Sequence, residues 1–189
     1  MAGSVLNRET IAEMVYGPSQ LIQNFVSLEE QLQPNGFDLS LREVSRLTMP
    51  GQIGADNADR FLPAAEPLEF DADGWLTLPP GPHLITFNEI INLPLGVMAL
   101  GYSRSSLLRS GAAIHTAVWD AGFSGQSQSL LVVYHPLGYR LQHNARLIQL
   151  VFQYLDNRAS EGYQGRFWGE EDFDRAMDGR QSQFWREAG

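Results

Sequence analysis

The spacing of apolar residues changes character twice along this 189-residue chain. From Asn7 to about Phe25, the residues Ile11, Met14 and Val15, then Leu21, Ile22 and Phe25, recur at helical intervals with a break at Gly17-Pro18. This predicts a short N-terminal helical element. From Phe37 to Tyr154 the pattern becomes short apolar or alternating runs bounded by Pro, Gly, Asn and Asp. Residues 37–41, 68–70, 76–78, 83–87, 97–102, 130–134 and 147–154 each read as a strand. Residues 46–69 are rich in Gly, Ala, Asp and Pro without a period, which predicts a long surface excursion rather than a second domain. After Asp156 the chain turns polar and acidic, with Tyr163, Phe167, Trp168, Phe173 and Phe184 interspersed. The expectation is one mainly β domain over 1–189, made of an N-terminal helical segment (1–30), a β body (31–156) and a partly mobile tail (157–189).

Composition narrows the chemistry. A hydrophobic content of 43 % suits a single domain with a sizeable core. No apolar run approaches the roughly 20 residues that span a bilayer, and the start of the chain lacks a basic segment followed by an apolar one, so a soluble, cytoplasmic protein is expected. The absence of cysteine removes disulfides, thiol nucleophiles and Cys-ligated zinc, the zinc of many nucleobase deaminases included. All 13 basic residues are Arg, so neither a Schiff-base lysine nor a Walker-type phosphate loop is available. A net charge of −9 disfavours nucleic acid as a partner, because backbone affinity rests on many cations. A small anionic ligand held by a local pair of arginines remains open.

That pair lies in the segment Ser103-Arg104-Ser105-Ser106-Leu107-Leu108-Arg109-Ser110-Gly111, followed by His115-Thr116-Ala117-Val118-Trp119-Asp120-Ala121-Gly122-Phe123-Ser124-Gly125. Guanidiniums, hydroxyls and one acid among small residues suit a polyphosphate gripped beside a carboxylate base. Each has a plainer reading. Ser105 and Ser106 could cap a helix that begins at Leu107, and Asp120 before a glycine could simply form a turn. Asp38, in Pro34-Asn35-Gly36-Phe37-Asp38-Leu39-Ser40-Leu41, either faces solvent or supports the site. Gln149 interrupts the apolar run Leu147-Ile148-Gln149-Leu150-Val151-Phe152, where an amide needs partners from the protein or from a ligand. His115, His135 and His143 lack metal-ligand spacing.

Taken in order, residues 34–41, 103–111, 115–125 and 146–152 resemble the four motifs of the trimeric dUTPase and dCTP deaminase superfamily, with the similarity running from about Leu6 to Phe152. The resemblance implies a distorted jelly-roll, or β-clip, fold and a homotrimer whose sites are built from neighbouring subunits. It places Arg104, Ser105, Ser106 and Gln149 on the phosphates with Arg109 nearby, and makes Asp120 the water-activating base. Asp38 then supports the water shell of a Mg²⁺ held mainly through the triphosphate and water. His115, Thr116, Ala117, Val118, Trp119 and Phe123 fall to the base and sugar, with the Phe123 ring beneath the deoxyribose.

The branches of the superfamily part at one position. Its zinc-free deaminases carry a glutamate five residues beyond the last glycine of the third motif; here that residue is Leu130, and no acid occurs between Gly125 and Asp156. The ungapped spacing from Arg104 to Asp120 also resembles the dUTPase branch, whereas the N-terminal helical segment is closer to the deaminases. The reading is dUTP hydrolysis to dUMP and pyrophosphate. The alternatives are dCTP deamination, alone or combined with that hydrolysis, and a non-catalytic deoxynucleotide-binding regulator. Two departures stand out: Ala117 occupies a place where a dUTPase hairpin commonly has glycine, and the tail lacks the Gly-rich fifth motif. Residues 162–169 are its nearest substitute, with Arg166 on phosphate and Phe167 or Trp168 against the base.

Overall fold

A computed structural model describes residues 3–163. Asn7 opens the first helix, α1 (Arg8–Tyr16), its side chain accepting the Thr10 N–H, and Gly17-Pro18 closes it. Leu21, Ile22 and Phe25 do not continue the helix as their spacing predicts. Instead, β1 (Ile22–Gln23) pairs with a later strand, because burying Leu21 and Ile22 under the sheet overrides local helical period. A one-turn helix, α2 (Leu28–Gln31), and β2 (Leu32–Gln33) lead into the long β3 (Gly36–Leu47).

The excursion of 46–69 makes a 3-10 turn at Asn57–Asp59 and returns as β4 (Ala65–Pro67) on the end of β3; residues 68–70, expected as a strand, lie just beyond it. There follow β5 (Trp75–Leu78), β6 (Gly81–Asn92), β7 (Val97–Ser103), α3 (Ser105–Arg109), β8 (Ala112–His115), β9 (Ser124–Val133), β10 (Tyr139–Gln142) and β11 (Arg146–Tyr154).

Among the described residues every pairing is antiparallel. The main sheet runs β7-β11-β3-β6-β9-β8, with β1 on β6 and β2 and β4 on β3, while β5 and β10 pair separately. The mainly β architecture expected from the alternating runs is therefore present. β3 is the member shared by both halves: its first residues pair with β11 and its later ones with β6. Phe37, Leu39, Leu41, Phe87, Ile148, Leu150 and Phe152 fill the space between the halves without measurable exposure. Burial of that kind is worth roughly 1.5–3 kcal/mol per large apolar side chain. No helix among the described residues is long and apolar enough to cross a membrane.

Candidate functional site

The strand order brings three of the sequence segments side by side. Asp38 on β3 is opposite Gln149 on β11, and Gln149 is opposite Tyr102 on β7. Directly paired residues share a face, so an acid, an amide and a phenol form one row across three strands. Gly36 makes room for it: a Cβ there would lie 2.3 Å from the Leu150 carbonyl and 2.8 Å from Gln149 Nε2.

Arg104 follows β7 immediately. Its N–H donates to the Leu147 carbonyl at 3.0 Å and its Nη1 to the Arg146 carbonyl at 3.1 Å, so the side chain is aimed back over β11. There its Nε lies 3.3 Å from Asp38 Oδ2, and Arg146 Nη1 reaches the same oxygen at 3.5 Å. The Asp38 side chain is only 3 % exposed, whereas the two arginine side chains keep 34 % and 30 % of their surface in water. One sunken carboxylate thus holds two half-exposed guanidiniums in a fixed spacing, with N–H groups left over. Such a pair of forks suits phosphate oxygens. Arg146 is the residue that sequence reasoning passed over; it begins the fourth segment, but nothing in the spacing couples it to Asp38.

Ser105 and Ser106 open α3, which starts two residues earlier than the capping reading requires. Arg104 occupies the N-cap and no side chain caps the helix, so both exposed serines keep their hydroxyls for another partner or for water. Arg109, at the end of α3, is exposed and forms no ion pair among the described residues.

The third segment packs against β7 on its far side. Thr116 Oγ1 donates to the Gly101 carbonyl at 3.2 Å, and Trp119 forms a backbone bridge with Ala99, its ring buried and its Nε1 donating to Ser127 Oγ at 2.6 Å. His115 is exposed, with Nε2 3.0 Å from the Tyr134 hydroxyl; Ala117 and Val118 are exposed as well. Asp120 is exposed at the head of a turn that Gly122 closes with φ +82°, and Phe123 N–H donates to its carbonyl. The turn reading is correct for its backbone, which leaves the carboxylate free of any ion pair among the described residues.

Because Trp119 meets β7 at Ala99, four residues before Ser103, Asp120 stands about 13 Å along the strand from the arginine clamp of its own chain. The chain after β11 returns to this turn: Tyr163 N–H donates to the Ala121 carbonyl at 2.9 Å, and the Tyr163 ring meets the buried Phe123 edge-on at 5.7 Å. Arg166, Phe167 and Trp168 lie outside the described residues.

Among the described residues two carboxyls are clearly perturbed. Burial raises Glu89 on β6, against the hydrogen bonds from Ser40 and Gln31 that favour its charged form. Burial also raises Asp38, against the attraction of Arg104 and Arg146. Both bind a proton more tightly folded than unfolded. Their contribution to stability is therefore full below the ordinary carboxylate range and is lost as pH climbs through the raised values. Glu89→Gln cannot titrate, so its transition temperature relative to the parent is expected to rise as pH increases from about 4, while Asp38 titrates in both proteins. Thermal unfolding across pH checks this, and a difference independent of pH would contradict it.

The donor set bears on a metal. Among the described residues no three His, Asp or Glu side chains gather into a cage. One carboxylate and one amide, Asp38 and Gln149, fit the outer shell of an ion whose direct ligands are phosphate oxygens and water.

A model of the dCTP deaminase-like family matches residues 5–155. The chain belongs to that family. Within the dCTP deaminase-like family, it is 43 % identical to a probable deoxyuridine 5'-triphosphate nucleotidohydrolase of Methanosarcina mazei, over 88 % of this chain and 98 % of the relative. It is 42 % identical to the protein of the same name from Archaeoglobus fulgidus, over 88 % of this chain and 97 % of the relative. The dCTP deaminase-like fold is also that of the 2'-deoxycytidine 5'-triphosphate deaminase of Agrobacterium tumefaciens, at a TM-score of 0.64 and 18 % identity. That match covers 82 % of this chain, which spans about half (49 %) of the deaminase chain.

Proposed function

We propose that this protein is a dUTP diphosphatase, releasing dUMP and pyrophosphate. The observation that carries the reading is the clamp of Arg104 and Arg146 on the buried Asp38 with Gln149 alongside, and the names of the archaeal relatives agree with it. Arg104 and Arg146 neutralise the triphosphate, Ser105, Ser106 and Gln149 bond its oxygens, and Arg109 adds charge at the rim. Asp120 takes a proton from the water that attacks the α-phosphorus; the new P–O bond forms as the bond to the leaving pyrophosphate breaks.

The separation of Asp120 from the clamp along β7 favours a site completed by a neighbouring copy. We take the working assembly to be a homotrimer in which Asp120 of one chain faces the arginines of another. Mg²⁺ bound through the phosphates would supply charge neutralisation and alignment, with Asp38 and Gln149 accepting from its waters. The bond from Tyr163 to the Ala121 carbonyl, next to Asp120, supports a covering role for the tail, with Arg166 on phosphate and Phe167 or Trp168 on the base. A cytoplasmic location is consistent with that substrate.

Leu130, half-buried on β9 between His115 and Leu84, offers no proton to a cytosine ring, which favours hydrolysis over deamination. Incubation with Mg²⁺ and either dUTP or dCTP tests this. The expected outcome is dUMP and pyrophosphate from dUTP, with dCTP intact and no ammonia. Ammonia from dCTP would refute the assignment, and inert dUTP would leave a nucleotide-binding regulator.

A further inference from the structure

Glu89 is the most deeply buried acid among the described residues, and the chemistry above makes no use of it. It lies on β6 at the irregularity between Thr86 and Ile90, facing the point where β3 passes from β11 to β6. Both ladders slip there: the one to β11 between Arg146 and Ile148, the one to β6 between Leu41 and Glu43. At such a seam strand amides lose ladder acceptors, and a buried N–H must find another.

Glu89 supplies it. Oε2 accepts the Ser40 N–H at 2.9 Å, while Oε1 accepts Ser40 Oγ at 2.5 Å and Gln31 Nε2 at 2.6 Å. Gln31, itself 1 % exposed, also donates to the Asp38 carbonyl at 2.8 Å, and its Oε1 accepts the Val26 and Ser27 amides, both at 2.8 Å. Asn88 Nδ2 joins Ser40 Oγ to Asn144 Oδ1, each at 2.9 Å, two residues before Arg146. Asp38 is thereby held at both ends: its carbonyl by Gln31 and its carboxylate between the arginines.

We propose that Glu89 is a positioning residue of the phosphate site, fixing through Ser40 and Gln31 the stretch of β3 that carries Asp38 and so the spacing of the Arg104 and Arg146 guanidiniums. The inference rests on reading that clamp as the phosphate site. Three donors converge on Glu89, which a carboxylate satisfies and an amide does not, since a Gln would turn its own N–H₂ toward one of them.

Electrostatics and positioning predict opposite signs here. Ser40 and Asp38 project from the same face of β3, so Glu89 places a negative charge close to the clamp. Removing that charge alone would tighten anion binding. Losing the spacing of the two forks would loosen it.

The test is calorimetric titration of the full chain with inorganic tripolyphosphate, a probe that requires no turnover. Glu89→Gln is expected to weaken binding about tenfold and Ser40→Ala about threefold, as misplaced bidentate contacts would. Val133→Ala, a core truncation on β9, should lower the unfolding temperature and leave binding unchanged. Equal or tighter binding by Glu89→Gln overturns the proposal, as does equal weakening by Val133→Ala. Should Glu89→Gln fail to fold, Ser40→Ala decides, and unchanged binding there overturns it. A parent protein that ignores tripolyphosphate overturns it too. One that binds tripolyphosphate but leaves dUTP intact refutes only the hydrolase reading, and the comparison of variants stands.

Discussion

With Asn in place of Asp120, dUTP hydrolysis is expected to fall by about 10²–10⁴-fold in kcat, the range of a lost general base, with KM within about threefold of the parent. The physical ground is the isolation of this carboxylate. It is exposed, heads a turn closed by Gly122, and has no ion pair among the described residues, so its substitution disturbs no internal partner. The Asp120 carbonyl, which receives the Phe123 amide, is untouched by the change. Stability should therefore hold while turnover disappears. Steady-state kinetics with a parallel binding measurement decide it: hydrolysis at the parental rate would remove Asp120 as the base, and a matching loss of binding would make it a ligand contact instead.

Asp38 should behave in the opposite way. It is sunken and shared by two guanidiniums, and Asp38→Ala leaves both without their counter-charge. Breaking a buried ion pair from one side costs about 3–5 kcal/mol. Arg104 and Arg146 each keep about a third of their side-chain surface in water, so neither is left as a buried charge and the cost falls to about 1 kcal/mol, a drop of roughly 2–4 °C in transition temperature. Asp38→Asn keeps the shape and separates stability from catalysis. Without the carboxylate the arginines no longer hold phosphate at one spacing, so kcat should drop about 100-fold and nucleotide binding should weaken about tenfold. If Asp38→Asn hydrolyses dUTP like the parent, the carboxylate serves the fold alone.

The strands that carry the site were legible because alternation survives where one face of a sheet is buried: β7 and β11 match the predicted runs within a residue. The helix predicted through Leu21 and Phe25 failed for a physical reason. Apolar residues at i, i+1 and i+4 serve a helix or a buried edge equally, and pairing with β6 chose the edge. Gln149 was visible as an amide in an apolar strand. Glu89 carried the same signal, an acid between Phe87 and Ile90-Ile91, but the predicted strand ended at residue 87 and left it outside. Arg146 and Gln31 were beyond reach, since their meaning lies in partners far along the chain: Asp38 for the first, Glu89 for the second.

The position of β11 between β7 and β3 also sets when the protein can become active during its own synthesis. β11 is the last strand among the described residues, yet it occupies the interior of the sheet and brings Arg146 and Gln149 to an Asp38 made more than a hundred residues earlier. Contacts of such long separation close slowly, after local structure has formed. A nascent chain that has not yet released β11 exposes the unpaired edges of β3 and β7, and it lacks the second arginine. If the clamp binds phosphate as proposed, completion of the sheet and acquisition of phosphate affinity are a single event, so nucleotide stabilises only finished molecules and partial chains gain nothing from its presence.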